Sequence, residues 1–236
     1  MKQGARYLLP FLGAIFLSGI ASAQEALGTK PDPSALLREM EQTYAAAKSY
    51  TDSSTATYRN ADGTERLRVD FRTWFARPTD FRVDAQSTRP GSTTPRREVL
   101  WSNGALTRTW ASDKPVANLS KVQIAGLGMF GTYAYHIPTL LEATYGGRRR
   151  LHELTDPELA GAEDFEGVSC DRVKGKWEGD SYEVWIGKAD HLVRKIVATY
   201  ADHALEEIHR EIVLDQPIPK ETFHFAPEKE VAPKKR

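Results

Sequence analysis

Beyond Asp32 the spacing of apolar residues changes from one regular period to another. Leu36, Met40, Tyr44 and Ala47 recur at helical spacing, with Leu37 beside them. Asp32-Pro33 supplies an N-cap followed by a proline at the first helical position, where the missing N–H costs nothing. This predicts one amphipathic helix of about four turns, too short to stand alone, so its stripe must lie on other apolar surface. After Tyr50 the period becomes two. Thr51 to Arg59 is polar and rich in Ser and Thr, which predicts an exposed strand, and Ala61-Asp62-Gly63 reads as a hairpin turn. Leu67, Val69, Phe71, Thr73 and Phe75 then point one way, while Arg66, Arg68, Asp70 and Arg72 point the other. Phe81, Val83 and Ala85 alternate with Arg82, Asp84 and Gln86 in the same manner. One apolar and one charged face mark antiparallel sheet that is solvated on its outer side.

A Ser/Thr/Gly/Pro loop over 88–95 leads to a hairpin, Glu98 to Trp101 and Leu106 to Trp110, turning at Asn103-Gly104. Asp113-Lys-Pro115 reads as a break. The stretch 121–147 carries several glycines and ends as a helix with Ile137, Leu140, Leu141 and Tyr145 on one face, stopped by Gly146-Gly147. Arg148-Arg-Arg150 follows that stop, where cations suit a helix C-terminus. Four strands with short turns close the chain: Gly167 to Trp177, Ser181 to Gly187, Leu192 to Ala201 and Leu205 to Leu214. Helix, strands, helical insertion, strands is the order of an α+β domain. The expectation is about eight strands in one curved antiparallel sheet, with the helices gathered on one face.

The first residues predict export. Lys2 and Arg6 precede the apolar run Leu8 to Ile20, and Ala21-Ser22-Ala23 supplies small residues for cleavage. Residues 1–23 are thus read as a signal peptide, 24–31 as a flexible leader, 32–227 as a single domain and 228–236 as a charged tail. A mature chain of 213 residues (236 − 23) suits one domain. Removing Lys2 and Arg6 leaves 30 basic against 32 acidic residues, so there is no basic excess to hold nucleic acid. The single cysteine, Cys170, allows no internal disulfide and reads as a small buried apolar residue.

Candidate chemistry is sparse. Gly126-Leu-Gly-Met-Phe-Gly131 fits G-x-G-x-x-G, but the preceding apolar run is very short and Pro138 falls inside the would-be helix. The neighbouring elements are also hairpins rather than a βαβ unit. A glycine-softened apolar flap, or a plain buried connection, accounts for it instead. The six histidines form no metal-binding spacing, and no nucleophile elbow is present. The carboxylates read as surface-facing. The expectation is a protein that is not an enzyme, uses no cofactor and binds no metal.

Several segments resemble the periplasmic LolA/LolB-like lipoprotein carriers and their relatives, which include mycobacterial lipid-transport lipoproteins and RseB/MucB-like sensor domains. They are the helix Ser34-Ala-Leu-Leu-Arg-Glu-Met-Glu-Gln-Thr-Tyr44, the arginine-rich strand ending Phe75-Ala-Arg-Pro78, and Phe81-Arg-Val-Asp84. Further along come the hairpin Val99-Leu-Trp-Ser-Asn-Gly104, Gly167-Val-Ser-Cys-Asp-Arg-Val173, the closing strands from Val184 to Ile196, and Phe223-His-Phe-Ala-Pro227. The resemblance implies an eleven-stranded half-barrel, a strongly curved sheet whose concave face is plugged by the N-terminal helix and the short helical insertion. It also implies a hydrophobic cavity between sheet and helices, and in the carriers an arginine that latches the plug.

With those implications, Leu67, Val69, Phe71, Phe81, Val83, Val99, Trp101 and Trp110 are the candidate lining of the sheet side. Leu127, Met129, Phe130, Ile137, Leu140 and Leu141 are the candidate lid. The expected ligand is a lipid, a lipoprotein acyl chain or another hydrophobic molecule, carried or sensed by a periplasmic monomer that meets a protein of the inner or outer membrane. An interaction module with a filled core is the alternative.

Overall fold

The computed structural model describes residues 30–104, 106–119, 134–145 and 151–227. Pro31–Arg236 forms one compact unit. Helix α1 (Pro33–Ala46) starts where Asp32 caps it, its carboxylate accepting from the Ser34 N–H at 3.1 Å. Six strands follow: β1 (Ser49–Asn60), β2 (Glu65–Ala76), β3 (Asp80–Thr88), β4 (Arg96–Asn103), β5 (Thr107–Ala111) and β6 (Lys114–Leu119). Helix α2 (His136–Leu141) and a 3-10 turn (Ala143–Tyr145) precede the second series. That series is β7 (Thr155–Phe165), β8 (Val168–Trp177), β9 (Asp180–Gly187), β10 (Val193–Thr199) and β11 (His203–Leu214).

All eleven strands form one open antiparallel sheet in the order β6-β5-β4-β3-β2-β1-β11-β10-β9-β8-β7. Each series is a meander, and β1 joins the two by pairing with β11, Ser54 opposite His209 and Ala56 opposite Glu207. The strand expected to be exposed, Thr51 to Arg59, is therefore the middle of the sheet. Its inward polar residues Asp52 and Ser54 are buried, because their polar atoms find partners inside the protein rather than water.

The sheet has eleven strands against the expected number of about eight, and every segment read as a strand is present in it. Strands β6 and β7, absent from the sequence reading, are the two edges. An edge strand buries little, so its alternation is weak, and each of these carries a proline, Pro115 and Pro157, that an edge tolerates. The motif 126–131, Gly146-Gly147 and Arg148–Arg150 lie outside the described residues. Among the described residues no helix is long and apolar enough to cross a membrane.

The core lies against one face. Val69, Phe71, Phe75, Phe81, Val83 and Leu100 from the first series meet Val184, Ile196 and Leu205 from the second. The same cluster holds Leu37, Met40 and Tyr44 of α1 and Ile137, Leu140 and Leu141 of α2. Burial of each such side chain contributes about 1.5–3 kcal/mol. Tyr44 also fixes α1 laterally, since its phenol oxygen accepts the Val193 N–H at 3.1 Å. Burial pushes that phenol well above its ordinary pKa, so it stays neutral.

Candidate functional site

The residues assigned to a cavity wall fall on two faces. Val69, Phe71, Phe81 and Val83 are buried on the inner face, with the half-buried Leu67 packed against them. Val99, Trp101 and Trp110 do not join them. Residues directly opposite in an antiparallel pair share a face. Val83 lies opposite Leu100, so Val99 and Trp101 point the other way, and Trp110, opposite Val99, goes with them. Their inclusion in one lining is corrected here. The sequence run Val99-Leu100-Trp101 is apolar at three successive positions, so alternation alone could not tell which residue faces in.

On that outer face the partner is the chain's own C-terminal segment. The Phe225 ring lies 5.1 Å from Trp101 and 5.4 Å from Trp110, centroid to centroid. The guanidinium of Arg82 stands 5.3 Å from the same ring, and that of Arg97 5.5 Å. Both arginines also bind Asp84, at 2.9 and 2.6 Å. Phe223, two residues earlier, is buried. The Phe223-His-Phe-Ala-Pro227 ending is therefore a strap bound over an aromatic and arginine platform.

Of the lid residues, Ile137, Leu140 and Leu141 are buried on α2 against the inner face. Leu127, Met129 and Phe130 lie outside the described residues. One arginine fastens α1 and α2 at their C-terminal ends. Arg77, just past β2, donates to the carbonyls of Ala45 (2.6 Å), Ala47 (2.9 Å) and Leu141 (2.6 Å). It also pairs with the Glu142 carboxylate at 3.2 Å. These are carbonyls that a helix end leaves without intrahelical partners. Arg77 stands in the segment Phe75-Ala-Arg-Pro78, but the sequence does not reveal which carbonyls its side chain reaches.

The inner face also carries a chain of ionisable groups. Asp52, Glu207, His136 and His209 are each no more than 3 % exposed. The Asp52 carboxylate accepts from the Tyr50 phenol (2.8 Å), the Ser54 hydroxyl (2.6 Å) and the Thr73 N–H (3.2 Å). His209 Nδ1 lies 2.9 Å from Asp52 Oδ2 and 2.8 Å from Ser54 Oγ. His209 Nε2 faces Glu207 Oε2 at 3.5 Å, and the same oxygen lies 3.0 Å from His136 Nδ1 on α2. Burial opposes charge on His209, but hydrogen bonding to Asp52 and Glu207 outweighs it and raises the pKa to about 9. The imidazolium is therefore the neutral-pH form, held between two carboxylates. The reading of the carboxylates as surface-facing is corrected at Asp52 and Glu207. A signal existed: in period two, Asp52 shares a face with Tyr50 and Tyr58, and Glu207 and His209 share one with Leu205. Among the described residues no cluster has the composition of a metal site.

The fold that carries these groups has a solved counterpart. Residues 144–233 match the model of a family described as predicted periplasmic protein (DUF2092). LprF from Mycobacterium bovis is similar in structure over 80 % of this chain and 96 % of its own, at 10 % identity and a TM-score of 0.52. The chain shares the LprF fold. Lower similarity extends to the lipoprotein LppX of Mycobacterium tuberculosis, at 13 % identity and a TM-score of 0.47 over 81 % of this chain and 99 % of that one. A LolA superfamily protein from Nitrosomonas europaea is also similar, at 10 % identity and a TM-score of 0.40 over 83 % and 99 %. The fold shared with LprF, a mycobacterial protein, agrees with the resemblance read from the sequence. No curated protein matches the sequence.

Proposed function

We propose that the protein is a non-enzymatic carrier or sensor of the bacterial envelope that takes a hydrophobic ligand between the inner face of its sheet and the helices covering it. The observation that carries this reading is the form of the cover. A wide apolar face is overlaid by two short helices whose ends are fastened by the single side chain of Arg77. Two lateral contacts, Tyr44 with Val193 and His136 with Glu207, hold each helix to the sheet separately, but Arg77 joins their ends to each other. A cover whose ends share one clasp can open there, and an acyl chain entering beneath it gains about 0.8 kcal/mol per methylene buried.

In this proposal the sheet is a strongly curved half-barrel with α1 and α2 on its concave side, and Arg77 is the latch. Leu67, Val69, Phe71, Phe81 and Val83 form the floor. Ile137, Leu140 and Leu141 form the lid. The signal peptide is cleaved after Ala23 and the mature monomer works in the periplasm, in keeping with the family description matched by residues 144–233. It exchanges ligand with a partner in the inner or outer membrane.

Uptake of the neutral probe N-phenyl-1-naphthylamine tests the reading. Saturable fluorescence enhancement, faster in Arg77→Ala than in wild type, is the expected result. Absence of enhancement in both proteins refutes it. One observation favours a second reading, a filled interaction module: Met40, Phe75 and Phe81 are almost wholly buried with the cover in place. That reading predicts no uptake.

A further inference from the structure

Buried polar atoms are almost always paired, and one left without a partner calls for a physical reason. The chain from Asp52 to His136 is satisfied at one end and open at the other. Asp52 is saturated by Tyr50, Ser54, Thr73 and His209. At the α2 end, Oε1 of Glu207 and Nε2 of His136 find no hydrogen-bond partner among the described residues, whereas His209 Nε2, without a hydrogen bond in the strict sense, still faces Glu207 Oε2 at 3.5 Å. Both side chains are essentially inaccessible, at 0 and 1 %. They are joined through Oε2 and Nδ1, so the two open atoms belong to one hydrogen-bonded pair bridging β11 and the lid helix. The ring of His136 stands edge-on to Tyr182 at 5.9 Å, which fixes its orientation.

We infer that the Glu207–His136 pair is the seat for the polar end of the ligand, and that this end is an uncharged group with both a donor and an acceptor, a hydroxyl or an amide. The chemistry excludes the other common lipid ends. Glu207 Oε1 can only accept, so the ligand must bring a donor. His136 Nε2 accepts when the ring is neutral and donates when it is charged. A hydroxyl or an amide satisfies either form, whereas an ester or ether, which only accepts, leaves Glu207 unpaired. A phosphate or free carboxylate would place a further anion beside Glu207 and Asp52, which already share the His209 cation. Among the described residues the nearby tyrosines, Tyr50 on β1, Tyr135 next to α2 and Tyr182 on β9, add no cation.

This inference rests on the carrier reading, and one experiment separates their failures. Wild-type protein loaded with N-phenyl-1-naphthylamine is titrated with 1-dodecanol and, separately, with dodecyl methyl ether, which has the same chain without the donor. The expected result is displacement by the alcohol at about tenfold lower concentration, the effect of one buried polar pair made or left unmade. The preference should vanish in His136→Phe, which keeps a ring against Tyr182, and shrink in Glu207→Gln, which removes the charged acceptor. Near-UV circular dichroism verifies that each variant is folded, and the wild-type comparison stands without either. Equal displacement by alcohol and ether means that water fills the seat, and overturns this inference alone. Failure of the wild type to take up the probe at all overturns the carrier reading and this inference with it.

Discussion

Replacing Arg77 by Ala removes three hydrogen bonds to helix-end carbonyls, at 2.6 to 2.9 Å, and the 3.2 Å pairing with Glu142. It also removes the guanidinium seated 5.2 Å from the Phe75 ring centroid. A hydrogen bond to a charged group contributes about 1.5–3 kcal/mol. These four contacts share one donor group, so they do not add. The Arg77 side chain is also 32 % exposed, and water takes over part of what is lost. A net cost of about 3 kcal/mol is the reasonable scale. For a domain of this size that lowers the melting temperature by roughly 6–12 °C. The loss should be local before it is global. Hydrogen exchange should quicken in Tyr44–Lys48 and in α2, while β8 to β10 stay protected up to the global transition. Arg77→Lys should recover little, because an ammonium cannot hold three divergent carbonyls in the way a planar guanidinium does. A melting-temperature drop under about 2 °C, or exchange quickening evenly over the whole sheet, would refute the assignment of Arg77 as the fastening of the cover.

Three further predictions follow from the other clusters. His209 has a pKa raised from 6.5 to about 9. Its contribution, about 3 kcal/mol, is therefore fully present below pH 6.5 and lost as pH rises through 9. Urea midpoints measured from pH 6 to 10 should fall across that window in wild type but not in His209→Gln, and an equal slope in both would exclude His209 as the source. Phe225→Ala should cost about 1–2 kcal/mol and shift the emission of Trp101 and Trp110 to the red, while an unchanged spectrum would mean that the strap does not rest on them in solution. Trp177 packs against the core, whereas Trp101 and Trp110 face the strap. Ligand-induced changes in emission should therefore disappear in Trp177→Phe and persist in Trp101→Phe, and the reverse would place the ligand on the outer face.

How much of this was legible beforehand depended on how strongly each segment's burial was one-sided. Strands β2 and β3 alternate cleanly because one face is core and the other water, and the sequence reading found both their direction and their inward residues. The first helix was equally plain from Leu36, Met40 and Tyr44. Edge strands β6 and β7 left no such signature, since neither of their faces is well buried. Val99-Leu100-Trp101 failed for the opposite reason. Both of its faces are buried, one by the core and one by the strap at Phe225, and a period of two is invisible when every position is apolar. The candidate site was legible only as an apolar surface. Its polar part was missed because Asp52 and Glu207 are charged residues in strands, ordinarily solvent-facing. Only the pairing of β1 with β11 brings Asp52 against His209, 157 residues along the chain. Arg77 was hidden likewise, because its partners come from two segments far apart in the chain, 45–47 and 141–142.

The most direct test of the central claim is native mass spectrometry of the mature protein purified from a periplasm without detergent. A hydrophobic-ligand carrier should retain an added mass in the lipid range, lost on collisional activation and restored by incubation with envelope lipids. The bare polypeptide mass, unchanged after that incubation, would contradict the carrier reading and leave the filled interaction module in its place.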